Sequence, residues 1–289
     1  MTPTERSFRV RYVLSRTWTM ALAAIGVMAG ATLGTADRPT TVGVVLDTAT
    51  QHQREPLRIY LTKALGQPVI IAAPDSFSET VTRLGDGSYD FACLGALMYI
   101  RAHVAYGVVP LVQRTIDLHY HTVFIAGSGS SIRSLSDLKG KRFAFGDIDS
   151  TSAHLIASNE LHQAGIDPET DLKLRYSGSH PATAALVETG VVDAGAIDET
   201  IFDFLISTGK LDGKRVRVFY TSQPYVDYVW VARKDVPATE REKFARALLA
   251  LKEGKDNSVL KILRAKQFVA ANDEEYASIR RIAHTLKMF

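Results

Sequence analysis

The sequence predicts an α/β protein built from two similar halves. From residue 41 onwards strands and amphipathic helices alternate, an order typical of largely parallel sheets covered by helices. The flexible run Gly127–Ser131 interrupts the alternation, and a second alternating unit begins after it. Hydrophobic residues make up 46% of the chain and charged residues 22%, a composition that suits packed cores and excludes a disordered chain.

The first 36 residues have the order of a secretory signal peptide. Four arginines precede an uncharged apolar run, Met20–Leu33, and the small residues Gly34–Ala36 follow it. The run is shorter than the roughly 20 residues that span a bilayer, so we expect cleavage after Ala36 and export of the mature chain. The leader carries a net +3, which is the whole formal charge of the chain, so nucleic-acid binding is not expected.

Five strands and three helices are predicted in the first half. Leu57 and Leu61 share one helix face with Tyr60 and Ala64, and Ser76 with Glu79 forms a capping box that opens the next helix. The predicted strands are Thr41–Leu46, Pro68–Ala72, Tyr89–Cys93, Val108–Val112 and His121–Ala126, and the helices cover 53–65, 77–84 and 95–105.

The second half repeats the pattern and ends in two helices. Thr239 and Glu242 are placed to cap the first of these, and the second begins at Asn272. The predicted strands are Arg142–Gly146, Leu172–Tyr176, Val191–Ile197, Arg215–Tyr220 and Asp227–Arg233, and the intervening helices are Ser152–Ala164, Pro181–Thr189 and Thr200–Thr208.

Three hydroxyl residues, Ser150, Thr151 and Ser152, stand between a predicted strand and a helix. Ligands of α/β sheets bind at this end of the strands, where helix N-termini present unpaired N–H groups and partial positive charge. The turn is therefore a candidate anion site that needs no lysine or arginine. One of these hydroxyls would also suffice as an ordinary helix cap, and that alternative stays open.

Two further strand-to-helix turns carry polar side chains. His180 precedes Pro181 at a helix start, where it serves either as a neutral donor or as a solvated capping residue. Asp198 ends a strand, and it either caps the next helix or favours a ligand that bears a proton or an ammonium, because a carboxylate only accepts hydrogen bonds.

The chain has one cysteine, Cys93, so it forms no internal disulfide. A lone cysteine is most often a small packing residue, but Cys93 lies beside a turn expected to open into the cleft. The sequence shows no nucleophile elbow, zinc-binding helix motif or phosphate loop, so we expect no enzyme activity, metal or cofactor.

Several of these segments resemble the phosphonate- and phosphite-binding family of periplasmic ABC-transporter proteins. They are 134–152, 176–180, 192–198 and 225–235. The resemblance implies a two-lobed type II periplasmic-binding fold, with a mainly parallel sheet in each lobe and a ligand cleft between the lobes. It implies crossovers near Ala126–Ser128 and Thr221–Tyr225, so that lobe 1 holds residues 37–126 and 223–289 and lobe 2 holds 127–222.

The resemblance also implies the ligand pocket and the partners. Its second-lobe residues carry over onto Ser150, Thr151, Ser152, His180 and Asp198, and its first-lobe residues onto Tyr99, His121 and the loop Asp47–Gln51. The implied function is capture of phosphonate, phosphite or phosphate by a monomer that delivers it to an ABC permease.

An alternative hypothesis follows from Cys93, which occupies a position where the family often has an aromatic residue. Periplasmic arsenite-binding sensor proteins are similar to the same family and are thought to use a cysteine. Under that hypothesis Cys93 binds arsenite, and the partner of the protein is a membrane sensor kinase.

Overall fold

The computed structural model describes residues 38–44 and 51–289. The predicted leader and residues 45–50 lie outside the described part of the chain. Within the described part, no helix has both the length and the apolar character needed to cross a membrane.

The described residues form two β-sheets flanked by helices. The strands are β1 (Thr40–Val44), β2 (Val69–Ala72), β3 (Phe91–Leu94), β4 (Val109–Arg114), β5 (Thr122–Gly127), β6 (Arg142–Phe145), β7 (Lys173–Tyr176), β8 (Ala194–Asp198), β9 (Val216–Thr221), β10 (Val229–Ala232) and β11 (Phe268–Ala270). The helices are α1 (Gln51–Leu65), α2 (Phe77–Gly85), α3 (Ala96–Tyr106), α4 (Ala157–Gln163), α5 (Pro168–Asp171), α6 (His180–Glu188), α7 (Glu199–Ser207), α8 (Ala238–Leu249), α9 (Asn257–Leu263) and α10 (Ala277–Thr285).

The first sheet has the strand order β11-β4-β10-β3-β1-β2, and the second has β7-β6-β8-β5-β9. Strands β1, β2 and β3 pair in parallel, as do β6, β7 and β8. One strand of the second sheet, β5, runs against its neighbours β8 and β9. In the first sheet β10 runs against β3 and β4, and β11 runs against β4, so both sheets are mixed and not mainly parallel. The two-lobed α/β class predicted from the sequence is confirmed, and we call the regions around the two sheets the first and second lobes.

The chain passes to the second sheet earlier than predicted. Strand β5 pairs with β8 and β9, so the passage is the segment Thr115–His121 and not Ala126–Ser128. The return passage lies between β9 and β10, as expected, and the bridge between Tyr120 and Tyr225 ties the two passages together. The flexible composition of Gly127–Ser131 marks a turn within the second lobe and not a crossover.

Each sheet is covered by apolar cores on both faces. In the first lobe Phe91 stacks on Phe244 of α8, with ring centroids 4.0 Å apart. Leu155 and Ile156, which belong to the second lobe, are buried in the same cluster as Tyr99 and Leu97 of the first. The lobes therefore share apolar packing, and the structure has the two lobes in contact.

Candidate functional site

The turn Ser150–Ser152 follows β6 and begins a single π-helical turn, Thr151–Ile156. The Ser150 hydroxyl accepts a hydrogen bond from the Ala153 amide at 3.0 Å, and the Leu155 amide donates to the Ser150 carbonyl at 3.1 Å. Ser150 therefore caps the helix, which is one of the two alternatives that the sequence left open for this turn. All three hydroxyl residues are buried, which separates this turn from a solvated capping site.

The other two residues of the turn bind elements beyond their own helix. The Leu97 amide, at the start of α3 in the first lobe, donates to the Thr151 hydroxyl at 3.0 Å. The Ser152 carbonyl accepts a hydrogen bond from the Thr122 hydroxyl at 2.9 Å. The turn is therefore held both by the opposite lobe and by the strand that enters its own lobe.

His180 is the first residue of α6 and is 1% exposed. The Asp198 amide donates to its Nδ1 atom at 3.3 Å, so Nε2 is the ring nitrogen left to donate a hydrogen bond. Nε2 is buried and has no hydrogen-bond partner. An unmet buried donor costs about 1–3 kcal/mol, so this atom indicates a ligand that supplies an acceptor.

Close packing holds His180 against the hydroxyl turn. A Cβ atom added to Gly146, the residue after β6, would lie 2.7 Å from the Ala153 Cβ and 3.9 Å from the His180 Nδ1. The ends of the adjacent strands β6 and β8 thus bring the turn, the histidine and Asp198 to one place, as the sequence predicts.

Asp198 caps α7 and is fully enclosed. One carboxylate oxygen accepts a hydrogen bond from the Tyr120 hydroxyl, and the other accepts from the Thr200 hydroxyl at 2.8 Å and the Ile201 amide at 2.9 Å. Burial by itself would raise the pKa of Asp198, but the His180 ring and these donors outweigh it and lower that pKa. Asp198 therefore stays ionised, and its oxygens are already engaged by groups of the chain.

Two residues that were predicted to line the pocket from the first lobe interact with carboxylates outside the group around His180. The Tyr99 hydroxyl donates to Asp273 at 2.6 Å, and its ring packs edge-on against Tyr276, with centroids 4.7 Å apart. The His121 ring lies 3.3 Å from a Glu199 carboxylate oxygen and is about one-third exposed. The structure does not bring Tyr99 into the group around His180, whereas His121 borders that group through α7.

Cys93 lines a cavity of about 60 Å³ together with Asp198 and Tyr120. Burial raises the pKa of the Cys93 thiol to about 12, so the thiol is protonated at neutral pH. The cavity extends between the ends of the first-lobe strands and the start of α7, so it joins the two lobes. No group of three or more histidine, cysteine, aspartate or glutamate residues in the described ranges could hold a metal ion.

Sequence reasoning missed two buried ionisable residues beside this site. Asp227 accepts a hydrogen bond from the Ala96 amide at 3.0 Å, so it occupies the N-terminus of α3 next to Thr151. Arg114 makes a bidentate pair with Asp117 and lines the cavity. Asp227 lies within segment 225–235, which resembles the family, so the sequence could have identified it as a candidate site residue. No pattern in the sequence predicts that Arg114, at the end of a strand, is buried.

Together these residues form a small, buried polar group at the ends of β6 and β8. It offers an unpartnered imidazole donor, a hydroxyl-rich helix start and a neighbouring cavity, and it lies where the two lobes meet.

The chain belongs to the family described as the periplasmic substrate-binding proteins of phosphonate ABC transporters, because the family model matches residues 42–276. It is a substrate-binding component of an ABC transporter. The resemblance inferred from the sequence is thereby confirmed, and so is the predicted class of function.

Relatives of known name and structure agree with this assignment. The chain is 29% identical over 241 residues to a probable ABC transporter phosphite-binding protein, PhnD1, of Prochlorococcus marinus strain MIT 9301, over 78% of this chain and 81% of the relative. The structure of PhnD1 in complex with methylphosphonate matches with a TM-score of 0.79 at 27% identity, over 86% of this chain and 98% of that one. A binding-protein component of a phosphonate ABC transporter from Pseudomonas aeruginosa shares the fold, with a TM-score of 0.78, 20% identity and 87% of each chain covered.

Proposed function

We propose that this protein captures a small phosphorus oxyanion in the periplasm and delivers it, as a monomer, to an ABC permease. The ligand is a phosphonate, phosphite or phosphate, in keeping with the family and with the ligands that the names of its relatives give. The leader predicted at residues 1–36 would export the chain, and the binding site lies between the lobes. The protein returns its ligand unchanged and is not an enzyme.

The observation that carries the proposal is the buried Nε2 atom of His180, which lacks a partner beside the hydroxyl turn. A tetrahedral oxyanion placed there would accept from this donor and from the start of the π-helical turn. Hydrogen bonds to a charged group are worth about 1.5–3 kcal/mol, so one well-placed histidine decides much of the affinity.

The test is a calorimetric titration of the protein, expressed from the full-length gene, with phosphite, methylphosphonate, phosphate and sulfate. We expect at least one phosphorus oxyanion to bind more tightly than sulfate, and His180→Ala to weaken its binding at least about tenfold. His162→Ala is the matched control, because His162 is exposed on α4, and it should bind as the parent does. Equal binding by His180→Ala and the parent would place the ligand elsewhere.

A further inference from the structure

The C-terminus of helix α9 has a strained backbone. Arg264, the residue that follows the helix, has φ 48° and ψ 43°, in the left-handed region that favours glycine. Among the non-glycine residues that the structure describes, only Lys287 shares a positive φ. A side chain makes this conformation unfavourable, so surrounding contacts must hold Arg264 in it.

The buried residue Arg114 supplies such contacts. Its Nη1 atom donates to the carbonyls of Leu263 and Arg264, at 3.3 Å and 3.4 Å, and so satisfies acceptors that the end of a helix leaves unpaired. Its Nε and Nη2 atoms donate to Asp117, in the segment Thr115–His119 through which the chain enters the second lobe. One buried guanidinium therefore joins the end of α9 to the passage between the lobes.

That passage is paired with the one by which the chain returns to the first lobe. The Asp227 amide donates to the Asp117 carbonyl at 3.0 Å, and Tyr120 and Tyr225 exchange backbone hydrogen bonds of 2.8 Å and 3.0 Å. We call these two paired passages the hinge, because two-lobed proteins close by rotation at a few such linking residues. Arg114 therefore fixes the end of α9 to the hinge.

From this position the Arg264 side chain contacts the second lobe. Its guanidinium carbon lies 5.2 Å from the ring centroid of Phe204, on α7. A cation within about 6 Å of an aromatic ring centroid is attracted by the ring. Lys210, which belongs to the second lobe itself, lies 5.3 Å from the same ring. Arg264 thus binds α7 from the opposite lobe, and α7 is the helix that Asp198 caps.

We propose that Arg264 is a positioning residue for ligand capture: the strained end of α9, fixed to the hinge by Arg114, holds α7 and the Asp198 that caps it in the arrangement in which the lobes meet. Arg264 acts through α7 and not by touching the ligand. A glycine would suit the backbone better, so the contact of the side chain with Phe204 explains why an arginine is present. The inference rests on the proposed function in that the ligand binds between the lobes.

The test uses Arg264→Gly, which removes the side chain and fits the left-handed backbone. Heat unfolding without ligand should give a midpoint no lower than that of the parent, because relief of strain offsets the lost contact. Calorimetric titration with phosphite and methylphosphonate should show the tighter ligand of the parent bound at least about threefold more weakly. Arg264→Lys keeps a cation and should bind within about twofold of the parent.

Two further variants examine the contact itself. Phe204→Leu should weaken binding by a similar factor, and adding Arg264→Gly to it should cost less than about twofold more, because both changes remove one contact. Lys210→Met is the matched control, since Lys210 contacts the same ring from within the second lobe, and its binding should stay within about twofold of the parent.

Three results would overturn the inference while leaving the proposed function intact. They are an Arg264→Gly protein that binds as the parent does, a lower unfolding midpoint that accompanies the weaker binding, and losses that multiply in full in the double variant.

A measurement without ligand separates the inference from the proposed function. Small-angle X-ray scattering of the ligand-free protein should give a larger radius of gyration for Arg264→Gly than for the parent, because the lobes separate more often. Equal radii would overturn the inference whether or not a ligand binds. If the radius grows but the parent binds none of the phosphorus oxyanions, the proposed function fails and the role of Arg264 in lobe closure stands.

Discussion

At the scale of single residues, the site is built from groups whose charge and hydrogen bonds are set by burial. Asp198 and Asp227 are both 1% exposed, yet their pKa values shift in opposite directions. Asp198 has enough donors to stay ionised. For Asp227, burial outweighs the hydrogen bond from Ala96, and Asp117 and Asp198 add repulsion, so its pKa rises to about 8.

Asp227 should therefore make the stability of the protein depend on pH. Between about pH 4 and pH 8 the folded state holds a proton on Asp227 that the unfolded state has released, so stability falls as pH rises through this window. Asp227→Asn keeps an acceptor for the Ala96 amide but does not titrate. Urea unfolding at pH 5 and pH 7.5 should show the parent losing on the order of 2 kcal/mol more than Asp227→Asn between these values. Parallel pH profiles of the two proteins would contradict this assignment.

The positions of single residues could be predicted from the sequence where they depend on the neighbouring strand or helix alone. Ser150, Thr151 and Ser152 follow β6 after four intervening residues and begin the next helical segment, so their place at the end of the strand could be predicted from the hydrophobic pattern alone. Tyr99 could not be placed in this way, because it lies one helical turn into α3 and its hydroxyl bonds to Asp273, which is distant in sequence.

At the scale of secondary structure, the long alternating segments were predicted to within a few residues. The helix predicted at 53–65 is α1, and the capping box predicted at Ser76 opens α2, with the Glu79 amide donating to the Ser76 hydroxyl at 3.1 Å. By contrast, the cap predicted at Thr239 is wrong, because Pro237 is the residue before α8 and Thr239 is already the second residue of the helix.

The elements that were missed are short or depend on tertiary contacts. Helix α9 has seven residues and β11 has three, and β11 is a strand only because it pairs with β4. The π-helical turn was predicted as ordinary helix. Its i to i+5 hydrogen bond, from the Leu155 amide to Ser150, leaves no mark in residue spacing.

The π-helical turn needs a glycine at the end of the preceding strand. An alanine at Gly146 would bring two methyl groups to within 2.7 Å, so either the turn or the strand end must shift. We expect Gly146→Ala to lower the free energy of unfolding by about 1–3 kcal/mol and to weaken oxyanion binding. Urea unfolding and calorimetry would measure the two effects. Gly129→Ala is the control, because a Cβ atom added there would have no heavy atom within 4 Å. If Gly129→Ala lowered the free energy of unfolding as much as Gly146→Ala does, the steric explanation would be wrong.

At the scale of the whole molecule, polar contacts cross between the lobes on more than one side of the site. Arg101 of α3 pairs with Asp149 of the second lobe at 2.5 Å and also donates to the Met288 carbonyl. Arg264 lies 5.2 Å from the ring centroid of Phe204 on α7. These contacts, with the bond between Leu97 and Thr151, stabilise the arrangement in which the lobes meet.

The pair of Arg101 and Asp149 should slow ligand release. It is partly exposed, so its contribution is modest, about 0.2–1 kcal/mol. We expect Arg101→Met to raise the dissociation rate of the bound oxyanion about two- to fivefold, as measured by stopped-flow fluorescence. The control is Arg58→Met, because Arg58 pairs with Glu55 on its own helix and should leave the rate unchanged. An unaltered rate in Arg101→Met would mean that the pair does not hold the lobes together.

The single cysteine has a practical consequence for measurement. The thiolate is the form that reacts with maleimides, and a pKa of about 12 leaves Cys93 almost without it at neutral pH. A second cysteine introduced at Ile148, which is 57% exposed beside Asp149, would then be the preferred point of attachment for a dye. Such a conjugate would turn movement at the rim of the cleft into an optical signal, making the protein a sensor for dissolved phosphorus compounds.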